Sequence, residues 1–157
     1  MKKFKKLSIF VILLGGLFLF TGCTGSNVDG SLEDIMTKVY KNVPKENTPM
    51  GLTNIEVTDE NIENFLGTKD IEYEEALASE PMVGSIAHSV VLVRAKEGAD
   101  IDEIKTTIKE NVDPRKWICV GVEDDEVIIK NKGNLIIVII VGDEETRTNL
   151  EKGFDEL

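Results

Sequence analysis

Seven consecutive aliphatic residues, Leu135 to Val141, constrain the fold of this chain more than any other feature. A strand that is apolar at every position has to be covered on both faces, whereas a strand at the surface alternates apolar and polar residues. Seven residues are also too few to cross a bilayer, which takes about 20 helical residues. The run therefore predicts a central β-strand that is buried on both sides.

Other strands are predicted around this run. Residues 87–96 are also apolar on both faces near their centre, which favours a second central strand. Short turns rich in Asp, Asn and Gly join the last three predicted strands, and such turns are typical of antiparallel hairpins. The five predicted strands are residues 71–78, 87–96, 117–122, 127–130 and 135–141, and a helix is the alternative for residues 74–77.

Four helices are predicted where a capping residue is followed by apolar residues at helical spacing. Ser31, Asp100 and Asp143 are the expected caps of three helices, and Thr58 starts a shorter one. Residues 44–57 contain two prolines and are predicted to be irregular. The fold class is therefore α+β, with a mostly antiparallel sheet of about five strands and helices packed against it.

The N-terminal residues have the parts of a secretory signal peptide. Four lysines lie within the first six residues, an apolar run covers residues 7–20, and small residues follow it. The lysines favour the cytoplasmic side while the apolar run enters the bilayer. As a helix the run is about 21 Å long, which is shorter than the ~30 Å hydrocarbon core. A cleaved signal is therefore favoured over a permanent transmembrane helix.

The end of this run resembles the lipobox of bacterial lipoproteins, in which an apolar and two small residues precede a cysteine. Phe20, Thr21 and Gly22 precede Cys23 here, and Phe20 departs from the leucine that is usual at its position. The resemblance implies cleavage between Gly22 and Cys23 and a diacylglyceryl lipid on Cys23. Two acyl chains hold a protein stably, at ~0.8 kcal/mol per buried methylene. An ordinary secretory signal with a chance cysteine is the alternative.

These features divide the chain into three segments. Residues 1–22 are the predicted signal peptide, residues 23–30 a small and polar flexible tether, and residues 31–157 a single α+β domain. The predicted location is the outer face of the cell membrane, outside the cytoplasm. The partner that this implies is the membrane itself, reached through the covalent lipid on Cys23.

The charge of the mature chain excludes several classes of partner. Four of the 18 lysines and arginines lie in residues 1–22, whereas all 29 acidic residues follow Cys23, so the mature net charge is −15. Such a surface repels nucleic-acid phosphates and anionic lipid head groups. We therefore expect no nucleic-acid partner, and we expect the lipid to supply the membrane affinity.

Residues 61–143 resemble an uncharacterised family of Gram-positive bacterial lipoproteins that is defined only as a domain of unknown function. Three parts carry the resemblance: the strand Ser85-Ile86-Ala87-His88-Ser89-Val90-Val91-Leu92-Val93, the helix that begins at Asp100, and the hairpin Lys132-Gly133-Asn134-Leu135. The resemblance implies an extracytoplasmic location and the fold class. It supplies no reaction.

The sequence contains no recognisable catalytic set. His88, the one histidine, lies in an aliphatic strand and is expected to be structural. Lipid on Cys23 leaves Cys119 without a disulfide partner, and its apolar neighbours predict a buried structural thiol in a strand. No zinc, Walker or nucleophile-elbow motif occurs. The acidic clusters at residues 123–126 and 143–145 lack the spacing of a calcium loop, so no cofactor or metal is expected.

We therefore expect a non-enzymatic binding or assembly module, whose partner is an unknown envelope protein or small ligand. Trp117 is the candidate for a partner face, because tryptophan often anchors interfaces. A tryptophan in the core is the alternative. The alternative function is a small solute-binding lipoprotein associated with a transporter, although 135 mature residues provide barely one lobe of such a protein.

Overall fold

The computed structural model describes residues 27–157. They form a five-stranded sheet with four helices, which confirms the predicted α+β class. The predicted signal peptide, the cleavage site after Gly22 and the lipid site at Cys23 lie outside the described residues. The elements, in chain order, are α1 (Leu32–Val39), β1 (Leu52–Val57), α2 (Ile62–Leu66), β2 (Tyr73–Pro81), β3 (His88–Ala95), α3 (Ile101–Asn111), β4 (Ile128–Lys132), β5 (Leu135–Val141) and α4 (Glu144–Asp155).

The strands lie in the order β1-β2-β3-β5-β4, and each hydrogen-bonded pair is antiparallel. The first three strands follow one another along the chain, and then α3 carries the chain across to β4 at the far edge. β5 returns between β3 and β4. The two strands that are apolar on both faces, β3 and β5, are therefore neighbours inside the sheet, as their composition predicted.

Helices cover both faces of the sheet. On one face, Ile136 and Val138 of β5 pack with residues of α2 and α3. On the other, Ile137 and Ile139 pack with residues of α1 and α4. All four side chains are fully buried, and full burial contributes roughly 1.5–3 kcal/mol for each aliphatic side chain. The described members of both core clusters lie between residues 28 and 157, so this segment has a hydrophobic core on each face of the sheet.

The predicted capping residues start three of the helices. The Ser31 hydroxyl accepts a hydrogen bond from the backbone N–H of Asp34, and the Asp100 carboxylate accepts from the N–H groups of Asp102 and Glu103. The Asp143 carboxylate accepts from the N–H of Thr146 and lies 2.5 Å from its hydroxyl. These bonds hold the pKa of Asp143 below its usual range. Each of the three capping side chains accepts from backbone N–H groups that have no partner inside the helix.

Residues 44–57 were predicted to be irregular throughout, and this is wrong for β1. Thr53, Asn54 and Glu56 are exposed, so the apolar alternation that marks a strand is weak. The strand forms because its backbone pairs with β2, from Leu52 opposite Pro81 to Val57 opposite Ala76. This pairing is a tertiary contact that local sequence does not encode.

The predicted strand at residues 117–122 is also wrong, since this segment is a loop. Its backbone bonds join other loops instead of a ladder: the Ile118 N–H donates to the carbonyl of Gly84, and the Val122 N–H donates to that of Pro114. The number of strands is five as predicted, because β1 takes the place of this segment.

The described part of the predicted tether contacts the domain. The Arg94 guanidinium, which also pairs with Glu75, donates to the carbonyls of Val28 and Gly30 at 2.8 Å each. The Asn27 side chain accepts a hydrogen bond from the N–H of Asn134. We call this end of the sheet, with Arg94 at the close of β3 and Asn134 before β5, the entry end. Residues 23–26 of the predicted tether lie outside the described residues.

Candidate functional site

Three loops meet at the end of the sheet opposite the entry end, and we call the surface that they form the loop end. The loops are residues 48–51 before β1, residues 82–87 between β2 and β3, and residues 113–122 after α3. The N–H of Met82 donates to the carbonyl of Gly51 at 3.2 Å, and the N–H of Ile118 donates to that of Gly84 at 2.9 Å. The three tips are therefore contiguous.

The loop end exposes large apolar side chains. They are exposed by 38% to 88% of their surface, although acidic residues outnumber lysines and arginines by about two to one in residues 27–157. Single exposed apolar residues are ordinary, whereas a contiguous group at one end of a domain marks an interaction surface. The apolar tips of the loop end are Met50, Met82, Val83, Ile118 and Val120.

Trp117 lies next to these tips and is half-buried. Part of its ring packs against the core cluster on the α2–α3 face. The ammonium of Lys116 lies 5.3 Å from the Trp117 ring centroid and 5.1 Å from that of Phe65. It also forms an ion pair with Glu80 whose two side chains are mostly buried. Trp117 thus combines a core contact with a position beside the apolar tips, and its role at a partner face stays a prediction.

Cys119 lies between two of the apolar tips, and the prediction of a buried thiol in a strand is wrong. Its side chain is exposed, and its backbone has a φ of +61°. This left-handed conformation costs an L-residue roughly 1–2 kcal/mol, and it turns the chain at the point where a strand would continue. The apolar neighbours that suggested burial, Ile118 and Val120, are themselves exposed.

Acidic side chains border the loop end on the side of β4 and β5. Asp124 and Asp125 come just before β4, and Glu144 follows the end of β5, where Val141 pairs with His88. Among the described residues none of these three carboxylates has an ion-pair partner, and we call them the acidic rim. Three nearby cations are paired with other carboxylates: Arg115 with Glu123, Lys116 with Glu80 and Arg147 with Glu126. The Lys109 ammonium donates to the backbone carbonyl of Asp124 and, among the described residues, forms no ion pair with a carboxylate.

His88 is buried inside the sheet, as its aliphatic surroundings predicted. Its Nε2 lies 2.7 Å from the Tyr40 hydroxyl, and the side chain is 2% exposed. Burial lowers the pKa of His88 to about 4, so the ring is neutral at pH 7 and shares a hydrogen bond with the Tyr40 hydroxyl. Burial also raises the pKa of Tyr40 above its usual range. A neutral, enclosed imidazole bonded to a neutral phenol is suited to packing, and it is not placed to activate a nucleophile at the surface.

An open cavity of about 410 Å³ lies between α1 and β1. Ser79, which is 1% exposed, is among its buried lining residues, and the Tyr40 and Thr48 hydroxyls and the Asn54 amide supply other polar groups. Met36 and Leu52 are its aliphatic lining residues. The size lies within the usual range for small-molecule pockets, roughly 300–1,000 Å³, and no charged side chain lines it.

The acidic clusters considered from the sequence do not assemble a metal site within the described part of the chain. Among residues 27–157, no group of three or more His, Cys, Asp or Glu side chains could hold a metal ion. In the same residues no helix is both long and apolar enough to span a membrane. Glu123 and Glu126 instead form a reciprocal capping pair on a short 3₁₀ turn.

Comparison of the chain with protein-family models, with curated proteins and with solved structures found no match. The resemblance of residues 61–143 to a family of lipoproteins therefore stays a prediction from the sequence.

Sequence reasoning singled out Trp117 but missed the apolar tips around it. Met50 lies between Pro49 and Gly51, and Met82-Val83 lie between Pro81 and Gly84. Proline and glycine mark turns, and a large apolar residue at a turn tip is expected to be exposed. That local pattern could have indicated both loops, whereas their meeting with residues 113–122 depends on the tertiary fold.

Proposed function

We propose that this protein is a lipid-anchored, extracytoplasmic binding or assembly module without enzymatic activity, and that the loop end is its docking surface for an envelope protein. The observation that carries the proposal is the position of the exposed apolar tips, opposite the end at which the N-terminal segment contacts the domain. A lipid attached near one end and an apolar surface at the other suit a module that is held at the membrane and presented to a partner.

The dimensions of the chain support this presentation. Between Arg94 at the entry end and His88 at the loop end, β3 spans about 20 Å at ~3.3 Å per residue. Residues 23–26 reach at most about 14 Å. Because Arg94 holds residues 28 and 30, a lipid on Cys23 would keep the entry end beside the bilayer. The apolar tips would then face away from the membrane.

The membrane anchor has its own test. Cys23→Ser removes the thiol that would receive the lipid, so we expect loss of lipid labelling and loss of the protein from the membrane fraction of cells. Continued lipid labelling of the variant would contradict the assignment of Cys23. Cys119→Ser is the matched control, and it should leave lipid labelling unchanged.

The docking surface can be tested from Cys119, since lipidation would consume the only other thiol. A photo-cross-linker attached to Cys119 in isolated membranes should give a discrete adduct with a protein. The adduct should be lost when Met82→Ser and Val83→Ser polarise a neighbouring tip. The matched control carries the cross-linker at the entry end, through Asp70→Cys in a Cys119→Ser chain. Identical adducts from both positions, or none from Cys119, would count against a docking surface at the loop end.

A second candidate function is the capture of a small solute for a transporter, and the cavity between α1 and β1 favours it. Its uncharged polar lining would suit a neutral ligand with hydroxyl or amide groups. Thermal-shift screening of residues 27–157 against neutral metabolites tests this directly, because a ligand that binds only the native state raises Tm. Asn54→Leu should cancel a genuine shift without unfolding the domain, since Asn54 is exposed. If no neutral compound raises Tm, the capture of a neutral solute in this cavity is contradicted.

A further inference from the structure

We infer that the loop end recognises a protein segment whose apolar side chains are bordered by lysine or arginine. The inference rests on the proposed docking function and adds the chemistry of the partner. Two features of the loop end lead to it: the contiguous apolar tips, and the unpaired carboxylates of the acidic rim beside them.

The apolar tips define the centre of the partner's surface. Met50 and Met82 are almost fully exposed, at 88% and 83%, and methionine adapts its shape to many apolar surfaces because its side chain is unbranched and polarisable. Ile118 and Val120 extend the surface along the neighbouring loop. An apolar partner would remove these side chains from water, and the gain grows with the area covered.

The acidic rim defines the border of the partner's surface. Asp124, Asp125 and Glu144 have no ion-pair partner among residues 27–157, whereas the cations Arg115 and Arg147 are already paired. A cationic border on the partner would meet these three free carboxylates. Opposite charges across an interface steer association and select the partner.

The same charges disfavour two other occupants. A second copy of this chain would bring one acidic rim against another, in proteins that each carry a mature net charge of −15, and like charges in an interface cost several kcal/mol. An anionic membrane would be repelled in the same way. The entry end, and not the loop end, also lies next to residues 23–26. A cationic protein surface agrees with the acidic rim, with the net charge of the chain and with the position of the loop end away from residues 23–26.

Trp117 provides the reporter for a direct test, because it is the one tryptophan of the chain and adjoins Ile118. The probe is an amphipathic peptide of about 14 residues that contains only leucine and lysine, a length at which helices begin to be stable. Residues 27–157, which contain a hydrophobic core on each face of the sheet, are titrated with it while Trp117 emission is recorded. One control peptide replaces leucine by serine, and a second replaces lysine by glutamate.

The leucine–lysine peptide should produce a saturable change in Trp117 emission, and each control peptide should bind at least about tenfold more weakly. The double variant Met82→Ser and Ile118→Ser should also weaken binding about tenfold. Both side chains are exposed, so the fold should be kept, as circular dichroism would verify.

Neutralising the acidic rim by Asp124→Asn, Asp125→Asn and Glu144→Gln should weaken peptide binding. The matched neutralisation at the entry end, Asp70→Asn, Glu97→Gln and Asp100→Asn, should change it less than about twofold at 0.15 M salt, where charges are screened beyond ~8 Å.

Several outcomes would overturn the inference. The leucine–lysine peptide could show no saturable binding, or the glutamate peptide could bind as tightly as the leucine–lysine peptide. Neutralising the acidic rim and neutralising the entry end could also weaken peptide binding to the same extent. Phosphatidylcholine vesicles that shift Trp117 emission more than the peptide would indicate a membrane occupant. A concentration-dependent dimer that Ile118→Ser abolishes would indicate a second copy. If the cross-linker on Cys119 gives an adduct that depends on the apolar tips but the peptide does not bind, the docking function is supported and the cationic partner is not. If the cross-linker gives no adduct, the docking function itself is contradicted.

Discussion

His88 couples the stability of the fold to pH, because it is buried without charge. Its pKa is about 4 in the folded chain and ~6.5 in an unfolded chain. The unfolded state therefore binds more protons between these values, and the free energy of unfolding falls as pH is lowered from about 6.5 to 4. The full loss would be up to about 3 kcal/mol. Above pH 7 this contribution is constant.

The variant His88→Gln isolates this effect, because a glutamine side chain can donate or accept a hydrogen bond with Tyr40 but does not titrate. Urea unfolding of both proteins at pH 7 and pH 4.5 should show that the free energy of unfolding falls more in the native sequence than in the variant. The carboxylates titrate in both proteins and cancel in the comparison. Parallel losses would show that His88 is not protonated on unfolding.

Cys119 gives a second prediction, which depends on its backbone and not on its thiol. Glycine adopts a φ of +61° without strain, so Cys119→Gly should hold or raise the free energy of unfolding, by up to about 1 kcal/mol. Cys119→Val should lower it, because a β-branched side chain is poorly tolerated in this conformation. Urea unfolding measures both changes. A cost for glycine comparable to that of valine would instead support the buried strand that the sequence suggested.

Helix α4 contains a glycine that only its packing explains. Gly153 is buried, and a Cβ at this position would lie 2.1 Å from the carbonyl oxygen of Val39 at the end of α1. In an isolated helix, alanine would be better than glycine by about 1 kcal/mol. Here the two helices approach too closely for any side chain, so the packing cost outweighs the helix propensity.

We therefore predict that Gly153→Ala lowers the free energy of unfolding by about 2 kcal/mol, within the range for overpacked cores. Lys152→Ala is the matched control on the same helix. Lys152 is exposed and its contact with Glu156 is 4.0 Å, so the change should stay within about 0.5 kcal/mol. Thermal or urea unfolding distinguishes them. Stabilisation by Gly153→Ala would mean that α1 and α4 do not meet in this way.

The elements show what the sequence could predict. β5 was predicted because a strand without a polar position has to be buried on both faces, and β3 because its centre is apolar on both faces. The helix starts at Ser31, Asp100 and Asp143 were predicted because a cap is a local hydrogen bond. The predictions for β1 and for residues 117–122 were wrong because they rested on apolar character alone. β1 is polar but pairs with β2, whereas residues 117–122 are apolar but form their backbone hydrogen bonds with other loops.

The candidate site was predictable only in part for the same reason. Trp117 stood out by its residue type, but the tips around it come from three loops that are distant in sequence. Met82 lies beside Gly51 through pairing of β1 with β2, and Ile118 lies beside Gly84 through the path of the chain after α3. The exposure of Met50 and Met82 becomes meaningful only when the loops are seen to share one end of the sheet.

At the scale of the whole molecule, the two ends of the sheet have different contacts. The entry end holds residues 27–30 through Arg94 and Asn134, and the loop end carries the apolar tips and the acidic rim. In the proposed function, lipid on Cys23 keeps the entry end at the membrane and leaves the loop end exposed. Either end alone could belong to many domains, so the proposed function depends on this orientation.

Energy transfer to the bilayer measures that orientation most directly. The lipidated protein is reconstituted in vesicles that contain an acceptor-labelled lipid, with a donor dye on Cys119 or, in a Cys119→Ser chain, on Asp70→Cys. Because the two ends are about 20 Å or more apart along β3, we predict strong transfer from Asp70→Cys and clearly weaker transfer from Cys119. Equal transfer from the two positions, or stronger transfer from Cys119, would place the apolar tips in the membrane and contradict the account.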